Sequence, residues 1–334
     1  MKEAILWKQK DGKVLCLLCA HRCVIEEGKR GLCGVRTNSG GKLYSLVYGK
    51  LISRAIDPIE KKPLYHFMPG TTIYSIATVG CNFFCDFCQN WEISQAPHDG
   101  GRIFGEDFTP EEIASDARAR GCQSIAYTYT EPTIFFEFAI DTGRLAHEMG
   151  LKNVFVTNGY ETAEAIERMA GVIDAANVDL KAFSDRFYRE RCGARLRPVL
   201  EAIKRMHEAG IFLEVTTLLI PGENDSVDEI SKIAEFIVSV SPEIPWHVSR
   251  FHPHYKQRAK PWTPAETIFK ALEIGKTKGL KYVYAGNLPA GEFENTWCPN
   301  CGNLVIERFG FASRKVGLKD STCSRCGAKL NIVI

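Results

Sequence analysis

Eleven of the thirteen cysteines in this 334-residue chain fall in three groups, and their spacing is where the chemistry is densest. Cys81, Cys85 and Cys88 form C-x3-C-x2-C directly after the apolar run Thr72–Val79. A [4Fe–4S] cluster held entirely by protein takes four thiolates, so a compact set of three leaves one iron open to bind something else. Cys298 and Cys301 with Cys323 and Cys326 make two C-x2-C knuckles, each followed by glycine and separated by a hairpin-length segment. That pattern predicts a zinc ribbon with a closed structural site. Cys16, Cys19, Cys23 and Cys33 form C-x2-C-x3-C-x9-C. Four thiolates accept either zinc or an auxiliary iron–sulfur cluster, and the short glycine-punctuated knuckle favours zinc. The remaining pair, Cys122 and Cys192, read as small buried hydrophobes, with Cys192 kept as a candidate hydrogen-atom donor.

The loop cysteines need elements to hold them. From residue 71 onward, strand-like apolar runs alternate with amphipathic stretches, which predicts βα units and a parallel sheet. Strands are expected at 71–80, 123–129, 152–158, 175–181, 211–220 and 245–251, and helices at 109–120, 133–149, 161–170, 195–209, 226–240 and 263–278. Thr109 before Pro110 and Thr263 before Pro264 are helix-start signals. The polar motifs sit at the C-terminal strand ends, where βα folds place their active sites. They are the cysteine loop, Tyr127-Thr-Tyr-Thr-Glu131-Pro132, Thr157-Asn158-Gly159, Asp179-Leu180-Lys181, Pro221-Gly222 and Arg250-Phe-His252-Pro253.

Composition narrows the class. Lys+Arg 42 against Asp+Glu 40 leaves a net charge of +2, which argues against a large nucleic-acid footprint. No apolar stretch is long enough for a membrane helix, and the N-terminus lacks a signal-peptide core. So many thiols point to metal in a reducing compartment, and a cytoplasmic location is expected.

The cysteine loop, with aromatic Phe87 before the third cysteine, resembles that of radical S-adenosylmethionine (SAM) enzymes. The order of strand ends across residues 71–255 resembles pyruvate formate-lyase activating enzymes, and the whole chain resembles the AmmeMemoRadiSam group of that family. The resemblance implies an open (β/α)6 partial TIM barrel over residues 71–290. A cysteine module at 1–70 would precede it and a zinc ribbon at 291–334 would follow. It further implies that the cluster at Cys81, Cys85 and Cys88 cleaves SAM reductively to a 5′-deoxyadenosyl radical, which abstracts hydrogen from a substrate. Phe87, Glu131, Asn158, Asp179, Lys181 and His252 would then line the SAM pocket, although Thr-Tyr-Thr replaces the glycines that usually precede the glutamate. A ferredoxin or flavodoxin would supply the electron, and AMMECR-type and Memo-type proteins are associated with the group.

Side chains alternate along a strand, so if His252 points into the barrel then Arg250, Val248 and Trp246 do too. A guanidinium there needs a partner, either Glu214 or a carboxylate of SAM or substrate. His247, Ser249 and His254 become rim or helix-facing groups. Two enzymatic readings follow: a small, carboxylate-bearing substrate held by Arg250, with the terminal modules covering the barrel mouth, or a glycine of a partner glycyl-radical enzyme. A reading of another class is a zinc-ribbon adaptor that binds RNA or protein.

Overall fold

The computed structural model describes residues 1–289 and 291–334, so the domain boundary expected at 290 lies outside the described residues. Its centre is an eight-stranded sheet. In chain order the strands are β1 (Ser53–Pro58), β2 (Thr72–Ala77), β3 (Ser124–Tyr127), β4 (Lys152–Thr157), β5 (Ala175–Asp179), β6 (Phe212–Leu219), β7 (Trp246–Arg250) and β8 (Val283–Gly286). Neighbours in sequence are neighbours in the sheet, β2 to β8 are parallel, and β1 pairs antiparallel with β2 along Ser53↔Ala77 to Pro58↔Thr72. All six expected strands form. The sequence pattern missed β1 and β8, the edge strands, because edges carry shorter apolar runs.

Six helices connect these strands: α1 (Pro110–Ala119), α2 (Phe136–Glu148), α3 (Ala163–Met169), α4 (Leu196–Glu208), α5 (Val227–Val240) and α6 (Ala265–Lys278). Thr109 caps α1 in a reciprocal box with Glu112, and Ser226 caps α5. Among the described residues, no helix is long and apolar enough to cross a membrane.

One face of the sheet packs on these helices. There Asn153 Nδ2 donates to the Gly143 carbonyl of α2, and Trp246 lies so close to Gly275 of α6 that an added Cβ would sit 3.1 Å from its ring. The opposite, inner face is covered in its lower half by residues 59–68, where Ile59, Leu64 and Phe67 join Ile73, Ala126, Val154 and Ala175 in an apolar layer.

This division corrects the parity expected for β7. Register pairs Asn177 with Glu214, Thr216 with His247 and His247 with Tyr284, which puts all of them on the inner face. His247 is therefore an inward group, 3% exposed, with Nε2 2.7 Å from Glu214. Trp246 and Val248 face the helices. The alternation argument failed because β7 ends at Arg250, so His252 lies beyond the strand and fixes nothing about its face. Glu214 also accepts from the backbone N–H groups of Tyr65, His66 and Phe67, so it is the anchor of the 59–68 segment and not the partner of Arg250. Arg250 instead donates from Nε to the Thr263 carbonyl at 2.7 Å and stacks over Trp262, just before α6.

The terminal modules dock in different places. Residues 1–45 carry short antiparallel sheets that lie beside α2 and α3, joined by the buried Arg36–Glu137 pair and the Arg22–Glu164 pair. The C-terminal module forms a three-stranded sheet, Thr296–Trp297, Leu304–Phe309 and Ala312–Lys315, with a small apolar core. It sits at the N-terminal strand ends, where Arg308 donates to the Tyr65 carbonyl, Val333 bridges to Phe67 and Asn331 reaches the Glu243 carbonyl just before β7. The expectation that this module covers the barrel mouth fails, since it lies at the end opposite the cysteine loop.

Candidate active site

The loop from Val79 to Asn90 leaves the C-terminal end of β2 without regular structure, and neighbouring backbone shapes it. Phe84 N–H donates to the Cys192 carbonyl and Asp86 N–H to the Arg191 carbonyl, so the 188–192 turn forms a shelf beneath the loop. Asp86, between the second and third cysteines, also accepts from Arg191 and Gln257 and passes its own carbonyl to Lys256 N–H. Tyr255 stacks on Trp91 at 4.8 Å. Residues 251–262 thus form a strap across the loop. No sequence signal marked Asp86, because its meaning depends on a segment 171 residues away.

Within this frame Cys85 is buried, while Cys81 and Cys88 are partly exposed. A hydrogen bond from Cys192 holds the Cys85 thiol below the ordinary thiol range despite burial, with help from the Lys181 ammonium. Burial pushes the Cys81 and Cys88 thiols up. Cys192 is fully buried, as a small hydrophobe would be, and its thiol lies against Cys85. Phe87 is 5% exposed and packs against Phe187, which makes it a wall of the loop.

Asn158 stands at the end of β4 beside the first cysteine. Its Nδ2 donates to Asn82 Oδ1 at 2.7 Å and lies 3.9 Å from Cys81 Sγ. Asn158 Oδ1 and Asn82 Nδ2 are buried without a partner. Buried polar groups rarely stay unpaired. An acceptor and a donor left open beside three thiols fit a cluster carrying a polar ligand. Lys181 pairs with Asp179 at 2.8 Å, the self-satisfied arrangement that two residues two apart can make, and the ammonium stays close enough to Cys85 to act on it. His252 is not joined to these groups by any hydrogen bond; it lies against Trp262 and His254 with Nδ1 buried and unpartnered.

Glu131 departs most from expectation. Its carboxylate is 2% exposed and accepts from Thr133 N–H, Thr133 hydroxyl, Thr157 hydroxyl and Asn158 N–H. The same two hydroxyls reach Glu161, a carboxylate that sequence reading passed over although it follows Thr157-Asn158-Gly159 by only two residues. Two buried carboxylates share these donors with no Lys, Arg or His side chain paired to either among the described residues, and Glu161 Oε2 has no partner there. Burial, then the Glu161 charge, pushes Glu131 up to about 7, and burial also raises Glu161. Such a pair gains from a cation placed against it. Ahead of it Tyr129 takes the left-handed φ of +62° that glycine would take freely, held by a hydrogen bond to Asp57 and by Asn90 Nδ2 on its carbonyl. The turn keeps a glycine-like backbone on a tyrosine.

At the C-terminal module, Cys298, Cys301, Cys323 and Cys326 bring their sulfurs within 4.8 Å of one another, with Cys298–Cys326 and Cys301–Cys323 at 3.7 Å. A tetrahedron with Zn–S of about 2.3 Å has edges near 3.8 Å, so the set fits one zinc ion.

The model of the radical SAM superfamily matches residues 75–237, which contain the loop, Glu131, Asn158 and the Asp179–Lys181 pair. An uncharacterized protein of Methanocaldococcus jannaschii is 47% identical over the full length of both chains. The benzylsuccinate synthase activating enzyme of Thauera aromatica is 23% identical, over 70% of this chain and 75% of its own. Among solved structures, a radical SAM methyltransferase from Sphaerobacter thermophilus superposes with a TM-score of 0.51 at 21% identity, over 66% of this chain and 67% of its own. With the three-thiol loop at the strand ends and the superfamily model lying across it, this chain is an enzyme of the radical SAM superfamily, whose cofactors are SAM and a [4Fe–4S] cluster.

Proposed function

We propose that Cys81, Cys85 and Cys88 hold the cluster and that the chain cleaves SAM reductively to abstract a hydrogen atom from a small substrate. The observation that carries this reading is the three-thiol loop with Asn158 Oδ1 and Asn82 Nδ2 left open beside it. When bound, the cluster supplies one electron to SAM and the radical that results supplies the hydrogen abstraction. The chain's own residues do the rest. Lys181 offers a charge that steadies the Cys85 thiolate and faces anionic groups of a ligand. The Glu131–Glu161 pair offers a negative site for an ammonium group such as that of SAM, Glu131 acting mostly through the turn it holds. Asn158 orients whatever binds beside Cys81. The strap at 251–262 supports a small substrate, since a partner's glycine loop needs an open mouth. Arg250 directs its Nε to the Thr263 carbonyl just before α6, so we assign it no part in binding the substrate.

Activation of a glycyl-radical enzyme is the second reading, supported by the likeness to the benzylsuccinate synthase activating enzyme, and it requires the strap to swing off the loop. The terminal thiols at Cys298, Cys301, Cys323 and Cys326 serve as a structural zinc site in either case. Reduced, anaerobically reconstituted protein mixed with SAM and deuterated candidate substrates tests the proposal. Deuterium is expected in 5′-deoxyadenosine, and the Cys81, Cys85 and Cys88 triple Ala variant is expected to form none. Product formation by that variant would overturn the reading.

A further inference from the structure

Cys16, Cys19, Cys23 and Cys33 line a small hollow together with Leu18, Ile25 and Ile134. Their sulfurs do not draw together as the C-terminal four do: among the described residues, the single-ion grouping is found at Cys298, Cys301, Cys323 and Cys326. In this respect they match Cys81, Cys85 and Cys88, which likewise do not form such a grouping. A cubane of four irons and four sulfides is wider than a zinc ion, and its thiolates are spread accordingly. The backbone meets one of these sulfurs directly, Leu32 N–H donating to Cys23 Sγ at 3.5 Å. Arg36, fixed by Glu137, adds a buried positive charge to the wall.

The hollow also abuts the active site. Thr133 lines it and donates to both Glu131 and Glu161, and His21 Nε2 lies 2.7 Å from the carbonyl of Asn82, the residue after Cys81. The outer wall, by contrast, is half exposed at Leu32.

We infer that Cys16, Cys19, Cys23 and Cys33 bind an auxiliary [4Fe–4S] cluster, not zinc, that relays electrons to the SAM-binding cluster. The site stands without the proposed function; the relay rests on it. In the relay, a low-potential ferredoxin or flavodoxin is oxidised by one electron, the auxiliary cluster is reduced, and it returns to its oxidised form on passing that electron inward.

The full-length Cys81, Cys85 and Cys88 triple Ala variant, reconstituted with iron and sulfide, tests the site without any turnover. It is expected to keep about four iron and about one zinc per chain. Its reduced state should give an electron paramagnetic resonance signal indifferent to SAM. Two zinc ions and no iron would overturn the assignment. Substituting only the more open ligands, Cys19→Ser with Cys23→Ser, should remove that signal from the otherwise wild-type chain and leave the SAM-responsive one. Unchanged iron in this variant would also overturn it. If no signal in the wild-type chain responded to SAM while the triple variant kept its iron, the SAM reading would fail and the auxiliary site would stand. Reduced wild-type protein is expected to show a spectrum broadened by coupling between two nearby spins; a spectrum equal to the sum of the two variants' spectra would refute the relay.

Discussion

At the scale of single residues, the carboxylate at Glu131 shows how a side chain singled out for ligand binding can also hold up the fold. Both of its oxygens already accept from Thr133, Thr157 and Asn158. Glu131→Gln would turn an N–H donor toward donors, leaving at least one buried group unpaired. The expected cost is about 1–3 kcal/mol, read as a lower midpoint in urea unfolding of the cluster-free chain. An unchanged midpoint would show that these bonds are not formed in solution. Glu161→Gln should cost less, because it removes one of two adjacent buried charges.

Among elements, the joint between the N-terminal module and the cysteine loop is the tightest. Gly80 precedes Cys81 with φ +107°, and a Cβ there would lie 2.7 Å from Val35 Cγ1. Gly80→Ala combines a strained backbone with a clash between two elements that each carry cysteine ligands. It should destabilise by about 1–3 kcal/mol and reduce iron retained against a chelator. Normal retention would mean that the module yields freely. At the opposite end of the sheet, His66 joins the 59–68 segment to the C-terminal module. Its Nδ1 donates to the Asn331 carbonyl, and its Nε2 accepts from Tyr284 hydroxyl at 2.6 Å. Burial lowers its pKa from 6.5 to about 4. The folded state therefore binds fewer protons than the unfolded state between those values, so stability falls as the pH drops from 6.5 toward 4 and levels off below. The loss approaches about 3 kcal/mol. A His66→Gln variant should show a flatter decline across that window in melting temperature, and a parallel decline would assign the acid sensitivity to other groups.

For the whole molecule, the C-terminal module acts as a stopper for the lower end of the sheet. Tyr65, Tyr282 and Tyr284 form an apolar cluster of their own, and Arg308 lies over the Tyr65 ring at 4.2 Å while bonding its carbonyl. A chain ending at Phe293 should lose its zinc and keep its iron, but it should also melt lower, because each large side chain returned to water costs about 1.5–3 kcal/mol. Retained zinc would move the metal away from the terminal knuckles. An unshifted melting temperature would show that the module docks without supporting the sheet.

The sequence by itself determined what short-range chemistry can encode. Cysteine spacing separated a three-thiol loop from a terminal ribbon, and the alternation of apolar runs located six strands and six helices in order. Those signals are local: a knuckle, a strand or a cap is specified within about ten residues. What tertiary structure decided is where distant residues meet. Glu214 holds backbone 148 residues away instead of Arg250, His247 faces inward, Glu161 stands against Glu131, and Asp86 ties the strap to the loop. Each depends on strand ends and on packing between elements, which periodicity cannot supply. The same division explains the cysteine sets. Four thiols near in sequence announce a metal site, but whether their sulfurs draw together as at Cys298, Cys301, Cys323 and Cys326 is fixed by how the surrounding backbone folds.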